Sequence, residues 1–397
     1  MALFRRFTAS GRWAIVRGRS RSATTVLALT SCAIMLAACG SATDTKGSAD
    51  TNPGTAGPGV AAAQEAYNQL RQPSEGLGGL TTKLGSTPEP GKTIVLMRCN
   101  ATTCDNYDRA IKEAAAEVGW TARSIAYNLA DPATLSSGLD TALQFHPAAV
   151  LVPGTEPEVW AASRKAYEQA GVPIIGLTLP TLEPSANPPI FNILGDPYLE
   201  AQGKAAADWF VADSNGSGKG LLLSIPAYPL YRTMTDSVKA EAAAKCPDCT
   251  LEDLEITIPM VSAQQIPQAV VSALRQDPSY THIVTMDGRF LVGLSAQLKA
   301  AGLDNIRVGG TFARPDNAQE IKNGTIVALT NQSEEQQIWL AVDAALRMSQ
   351  GMDLPTDLYQ QLPAFQIVDK SNIDSLPDPF NTPQGYREKF KQLWLVE

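Results

Sequence analysis

Two patterns of apolar residues alternate along the chain from Lys92 onward. Short runs rich in β-branched and other apolar residues are typical of buried strands, and the segments between them have apolar positions at helical spacing. The strand-like runs of this first series are TIVLMR, TARSIAY, AAVLVPG and VPIIGLTL. Buried strands that alternate with helices predict βαβ units and a parallel sheet.

A second series follows a break that contains four prolines, TLPTLEPSANPP. Strand-like and helical runs then alternate again as far as Ile373. The strand-like runs are IFNIL, GLLLSI, LEDLEITI, HIVTM and IRVGGTF. Two successive series predict an α/β protein with two similar lobes, each built on a doubly wound parallel sheet.

Residues 1–38 have a different pattern, typical of a secretory signal. Six arginines and no acid precede an apolar stretch, Val26 to Ala38, that is too short for a helix spanning a bilayer. The sequence Leu36-Ala37-Ala38-Cys39 resembles the lipobox of bacterial lipoproteins, which implies lipidation at Cys39 and a membrane anchor. An ordinary signal peptide with a chance cysteine is the alternative, and Arg5-Arg6 leaves a twin-arginine signal open.

Residues 39–91 are predicted to form a flexible tether. Gly40 to Gly59 is rich in Ser, Thr, Gly, Asp and Pro, and such a composition buries too little apolar surface to fold. Only VAAAQEAYNQLRQ within this region has a pattern compatible with a short helix. A tether of this kind would hold an anchored domain clear of the membrane.

Composition and charge reduce the number of possible functions. The chain has 397 residues, 44% hydrophobic and 18% charged, as expected for a soluble globular protein of about two domains. Its formal net charge is −8, and loss of the six arginines before Cys39 makes the mature chain −14. This acidity argues against nucleic-acid binding. The two histidines, His146 and His282, form no catalytic triad or metal motif, so we predict no enzyme and no cofactor.

Four cysteines remain after Cys32 and Cys39 are set aside. An even number outside the cytoplasm favours disulfides, and of the three connectivities we choose the local pairs Cys99–Cys104 and Cys246–Cys249 because the two pairs are far apart in sequence. The second pair lies in CPDC, which imitates a thioredoxin motif. It follows a helical run instead of opening one, which favours a structural bond over a redox-active one.

The layout resembles the type I periplasmic binding proteins, the solute receptors of ABC importers, and most of all their sugar-binding branch. The resemblance covers roughly 92–373. It is carried by AAVLVPGTEPEVWAASRKAYEQAGVPIIG, HIVTMDGRFLVGLSAQLKAAGLDNIRVGGT and EIKNGTIVALTNQSEEQQIWLAVDAALRMSQG. It implies a monomer that is not an enzyme, binds a small polar ligand such as a sugar between its lobes, and partners an ABC permease.

The same resemblance implies a three-segment hinge. The chain is expected to cross between the lobes near Pro180 to Pro188, near Asn331 to Ser333, and near Leu362. Lobe 1 would then comprise 92–181 and 333–361, and lobe 2 would comprise 182–332 and 362–397. Two such lobes form a cleft that a hinge can close over a ligand.

Ligand contacts are expected just after the strands, because ligands bind at the carboxyl ends of open parallel sheets. After the first strand these are Asn100, Asp105 and Tyr107, in a loop that the Cys99–Cys104 bond would stiffen. The resemblance adds Glu156 beside Thr155, Arg232 flanked by Tyr228 and Tyr231, the acid Asp287, and the hinge residue Gln332.

Two departures from the sugar branch change the expected ligand. Met286 stands where an asparagine is usual, and Thr311 and Phe312 stand where an aspartate is usual. Both changes remove polar contacts. A less hydroxylated ligand, or a carboxylate held by Arg232 and Arg289, therefore stays open beside a sugar.

Two other hypotheses stay open beside solute transport. The first is an extracytoplasmic thiol oxidoreductase that uses Cys246 and Cys249. The second keeps the fold but makes the chain the ligand subunit of a sensory system. A zinc site of the four cysteines is disfavoured, because the resemblance places the two pairs on different lobes.

Overall fold

The computed structural model describes residues 57–74, 76–179, 182–331, 333–362 and 364–396. The predicted signal, the lipidation site Cys39 and the hinge residue Gln332 lie outside these residues. Within the described part, no helix is both long and apolar enough to cross a membrane.

Lobe 1 is built on a six-stranded sheet of order β2-β1-β3-β4-β6-β5, in which only β5 is antiparallel to its neighbour. The inner strands are continuous apolar runs because helices cover both faces of the sheet. The elements are β1 Thr93–Arg98, α2 Thr102–Glu117, β2 Thr121–Ala126, α3 Pro132–Leu143, β3 Ala149–Pro153, α4 Ala161–Ala170, β4 Ile174–Leu177, β5 Ser185–Ala186 and β6 Pro189–Ile193.

Lobe 2 contains a second six-stranded sheet, of order β12-β11-β10-β9-β7-β8, with β12 antiparallel to β11. This repeat of mostly parallel sheets confirms the predicted fold class. The elements are α5 Asp196–Asp213, β7 Lys219–Ser224, α6 Pro229–Lys245, β8 Thr250–Glu255, α7 Ile258–Ser262, α8 Ile266–Gln276, β9 His282–Thr285, α9 Leu294–Ala301, β10 Arg307–Ala313, α10 Ala318–Asn323, β11 Ala328–Asn331 and β12 Ile367–Asp369.

The first crossing lies later than predicted. The run IFNIL was assigned to lobe 2, but as β6 it pairs with β4 and completes the sheet of lobe 1. The chain leaves lobe 1 at Leu194 and Gly195, whose N–H groups donate to the carbonyls of Tyr359 (3.2 Å) and Gln360 (2.9 Å). Pro184 and Pro188 therefore flank β5 within lobe 1 and do not mark the hinge.

The C-terminal helix returns to lobe 1, which corrects the assignment of 362–397 to lobe 2 for its last part, whereas β12 pairs in the sheet of lobe 2. Helix α11, Glu334–Ser349, packs on α2, and helix α12, Thr356–Gln361, packs on β6. Helix α13, Tyr386–Trp394, packs on α11. The rings of Trp339 and Trp394 stack with centroids 5.1 Å apart. Arg387 pairs with Glu113 of α2 at 2.7 Å. A fourth connection therefore joins the lobes after β12.

The part of the tether that the structure describes is folded, so the prediction of a flexible segment over 39–91 is wrong there. Helix α1, Pro58–Leu70, packs on α5 and α6 of lobe 2. The Tyr67 hydroxyl donates to Asp369 at 2.9 Å, beside β12. Farther on, the N–H of Leu84 donates to the carbonyl of Leu393 in α13 at 2.8 Å. This segment thus runs from lobe 2 to lobe 1 across the hinge.

Both predicted disulfides are confirmed by the structure. The Cα atoms of Cys99 and Cys104 lie 5.5 Å apart at the start of α2, and those of Cys246 and Cys249 lie 5.3 Å apart between α6 and β8. The second pair sits at a helix C-terminus, where the helix dipole gives a thiolate no support. That position disfavours the oxidoreductase hypothesis.

Candidate ligand-binding site

A cavity of about 730 Å³ opens where the carboxyl ends of the two sheets face each other. Both lobes line it, as the position of the strand ends predicts. Lobe 1 contributes Cys99, Thr102, Thr103, Cys104, Tyr107, Leu129, Pro153, Gly154, Leu177 and Thr178. The polar lining of lobe 2 includes Tyr228, Tyr231, Asp287, Arg289, Arg314 and Asp316.

Asp287 is the centre of the polar network in this cavity. It follows β9, its side chain is fully buried, and its carboxylate accepts six hydrogen bonds. These come from the Tyr231 hydroxyl (3.0 Å), the Arg289 backbone and side chain, and the Arg314 side chain. A carboxylate has about four lone-pair positions, so this one is saturated. Asp287 therefore positions other side chains and has no acceptor capacity left for a ligand.

The charge of Asp287 is stabilised by its neighbours. Burial alone would raise the pKa of this carboxyl, but the guanidinium groups of Arg289 and Arg314 outweigh it and hold the pKa well below its usual range. The carboxylate thus stays ionised, and it fixes both guanidinium planes. Such clamping reduces the rotamer entropy that ligand binding would otherwise cost.

Arg289 is the cation that the cavity exposes. Its side chain is 47% exposed, and its Nε and Nη2 groups are engaged by Asp287 and Tyr231. Among the described residues, no atom accepts a hydrogen bond from its Nη1. Arg289 therefore offers two oriented N–H donors to a ligand in the cleft.

Arg314 was missed by the sequence analysis. Its Nη2 donates to Asp287 at 2.8 Å, and its Nη1 pairs with Glu334 at the start of α11. The register shift between β10 and β11, with Phe312 at a φ of 56°, brings this stretch to the cavity. Arg314 thus adds a polar side chain to the lining beside Phe312, and it donates hydrogen bonds to Asp287 and Glu334.

The lobe 1 side of the cavity is polar but neutral. The hydroxyl of Tyr107 donates to Gln337 at 2.7 Å, and Gln337 donates to the hydroxyl of Thr178 at 3.0 Å. Burial, together with the charge of Glu334, raises the pKa of Tyr107. Thr103 donates to Glu334 at 2.9 Å, so the pair of Glu334 with Arg314 links the two lobes.

Four of the predicted ligand contacts lie in the cavity lining: Tyr107, Tyr228, Asp287 and Arg289. Four others do not line it. Asn100 donates to Asn128 at 3.1 Å, Asp105 pairs with Arg98, Arg232 donates to the Pro226 carbonyl at 2.5 Å, and Glu156 lies outside the lining. Arg232 therefore does not join Arg289 in the lining, where the other arginine is Arg314.

The cavity wall also has an exposed apolar part. Among the described residues, seven large apolar side chains are exposed, and five of them line this cavity: Leu129, Tyr228, Ile258, Val261 and Val292. Sequence patterns missed this group because its members belong to four separate segments, three of them loops and the fourth the short helix α7. Their clustering in space is a property of the tertiary fold alone.

Comparison with known proteins identifies the family. The model of the periplasmic binding protein domain matches residues 95–353. The chain belongs to the periplasmic binding protein family. No protein of curated function matches the sequence.

Solved periplasmic binding proteins share the fold. An ABC sugar transporter subunit from Rhodobacter sphaeroides is 20% identical with a TM-score of 0.60, over 71% of this chain and 99% of that one. A solute-binding protein from Actinobacillus succinogenes with bound D-allose is 16% identical, with a TM-score of 0.61, over 72% and 100%. A 5-methylthioribose transporter protein from Thermotoga lettingae is 15% identical, with a TM-score of 0.63, over 79% and 99%.

Family membership implies an extracytoplasmic location and a binding role in place of catalysis. In the described part of this periplasmic binding protein, no group of three or more His, Cys, Asp or Glu side chains could hold a metal ion. The interlobe cavity is accordingly its candidate ligand site.

Proposed function

We propose that this chain is the lipid-anchored solute-binding subunit of an ABC importer, acting as a monomer that takes a small polar ligand, a sugar or a related compound, into the interlobe cleft. The observation that carries the proposal is Arg289. A saturated, buried Asp287 holds this guanidinium in a cavity shared by both lobes, with donors free to meet a ligand.

Closure of the cleft completes the proposed cycle. Five connections join the lobes, including the segment between α1 and β1, and the Arg314–Glu334 pair beside the β11–α11 connection lies next to the cavity. A ligand that contacts both Arg289 and Tyr107 would favour the closed arrangement by its differential contacts. The permease would then recognise the closed surface.

Ligand titration tests this function. Addition of a sugar and carboxylate panel to the folded protein is expected to raise its melting temperature, because a ligand at 100 times its Kd adds about 2.7 kcal/mol. Small-angle scattering should show a smaller radius of gyration with the same ligand. Arg289→Gln should lose the response, since it removes the exposed donors.

A matched control is Arg164→Gln in α4, outside the cavity lining, which should respond like the wild type. Arg232→Gln tests whether Arg232 contacts the ligand, as the sequence suggests, or lies outside the site, as its absence from the cavity lining indicates. The proposal fails if no member of the panel changes melting or scattering, or if Arg289→Gln responds as fully as the control.

Fractionation tests the anchor. The full chain is expected in the membrane fraction, and Cys39→Ser should move it to the soluble fraction because the acylated thiol is lost. Cys32→Ser, a serine replacement in the same leader, is the control and should stay membrane-bound. Equal partitioning of the two variants would exclude a lipid at Cys39.

A further inference from the structure

The polar part of the cavity favours a ligand that accepts hydrogen bonds. Asp287, the buried acid, has all of its lone pairs engaged by Arg289, Arg314 and Tyr231. Asp316, the second acid in the lining, is exposed, so water competes for its oxygens. A ligand rich in hydroxyl donors therefore finds no buried carboxylate to receive them, whereas an acceptor group meets the free donors of Arg289.

The apolar part of the cavity wall favours an apolar group on the ligand. Ile258 is 47%, Val261 38% and Val292 54% exposed, yet all three border the cavity. Exposed apolar side chains gathered at one concave site commonly mark a surface that an apolar group covers.

Lobe 1 offers this wall little exposed apolar surface. Ile258, Val261, Val292 and Tyr228 all belong to lobe 2, whereas the exposed large apolar side chain that lobe 1 brings to the cavity in the described residues is Leu129. The single exposed apolar side chain of lobe 1 is too small to cover the four of lobe 2. A ligand with its own apolar surface would cover the rest.

We propose that the ligand is a small amphipathic solute, with an acceptor group such as a carboxylate, phosphate or carbonyl against Arg289 and an alkyl or aryl group on Ile258, Val261 and Val292. This inference deepens the proposed function and rests on it. The volume of about 730 Å³ accommodates both ends of such a molecule.

The probe for this proposal is 8-anilinonaphthalene-1-sulfonate, whose anionic and aromatic ends match the two parts of the wall. We expect saturable binding to the folded protein, weakened about fivefold to tenfold by Val261→Ser because buried methyl groups are lost. Val159→Ser is the matched control: Val159 is 36% and Val261 38% exposed, but Val159 lies outside the cavity. Arg289→Gln should weaken binding as well.

Competition separates the ligand classes. Butyl glucoside and hexanoate should displace the probe at concentrations about tenfold below those needed for glucose or ribose. Equal potency of alkylated and plain sugars, no saturable probe binding, or a Val261→Ser variant that behaves like Val159→Ser would overturn the inference.

The inference and the function fail in different ways. If plain sugars bind and reduce the radius of gyration independently of Val261, the solute-receptor function stands and the amphipathic class is wrong. If no solute from either panel changes the scattering, the receptor function is wrong even where the probe binds.

Discussion

The two walls of the cleft differ in chemistry although their sheets are built alike. Lobe 2 supplies fixed charges, Asp287, Arg289 and Arg314, together with most of the exposed apolar side chains. Lobe 1 supplies neutral groups, such as the Tyr107–Gln337–Thr178 chain, and a disulfide. Similar folds thus place unlike side chains at equivalent strand ends.

This difference indicates a division of work between the lobes. The charged groups of lobe 2 already hold one another in place, so a ligand meets a preorganised surface there. Lobe 1 contributes Tyr107 and the loop that begins α2, which Cys99–Cys104 closes. The Arg314–Glu334 pair joins the two walls, so a change on either side affects the other.

The largest expected effect comes from removing the central acid. Asp287→Ala leaves Arg289 and the buried Arg314 without their shared carboxylate, and we expect a loss of about 3–5 kcal/mol in unfolding free energy. Urea denaturation would measure it. A loss below about 1 kcal/mol would contradict the view that lobe 2 is organised around this residue.

Lowering the pH should reveal the contribution of Asp287 to the stability of the folded protein. The pKa of Asp287 is lowered in the folded state, so its contribution is present above the pKa of the unfolded carboxyl, about 3.9, and is lost as the pH falls toward the folded value. Asp287→Asn should therefore have a flatter stability profile than the wild type below about pH 4. Parallel profiles would show that other carboxyls dominate.

Removal of either disulfide should lower the unfolding free energy by less than Asp287→Ala does, and only one of the two should also affect ligand binding. Loop-closure entropy predicts about 2 kcal/mol for each short loop. Cys99→Ser/Cys104→Ser should also weaken ligand binding because this pair lines the cavity, whereas Cys246→Ser/Cys249→Ser should affect stability alone. Melting and titration of both variants would check this. Equal losses of binding would remove the functional distinction between the pairs.

Features with a local signal were predictable from the sequence. Apolar runs located the strands, and CPDC after a helical run predicted a structural bond. Features that distant segments decide were not predictable. β6 has the same apolar pattern in either lobe, and only its pairing with β4 assigns it to lobe 1. Likewise, the packing of Trp394 on Trp339 determines where α13 belongs.

The candidate site divides in the same way. The position of Asp287 after a strand was predictable because strand ends line clefts in this topology. The role of Asp287 was not predictable. Saturation of its carboxylate by six donors depends on the position of Arg314, which reaches the cavity because of a bulge in β10. Arg232 shows the converse, since its expected position after β7 does not bring it into the lining.

By itself, the sequence determined the α/β class, the two-lobed repeat, the acidic charge and the local cysteine pairs, because periodicity, composition and short spacing are properties of the chain. The tertiary structure alone decided the lobe boundaries, the folded segment that begins with α1, and the joining of a clamped Arg289 to an apolar wall. Those features depend on contacts between residues far apart in sequence, and only the packing of the two lobes brings such residues together.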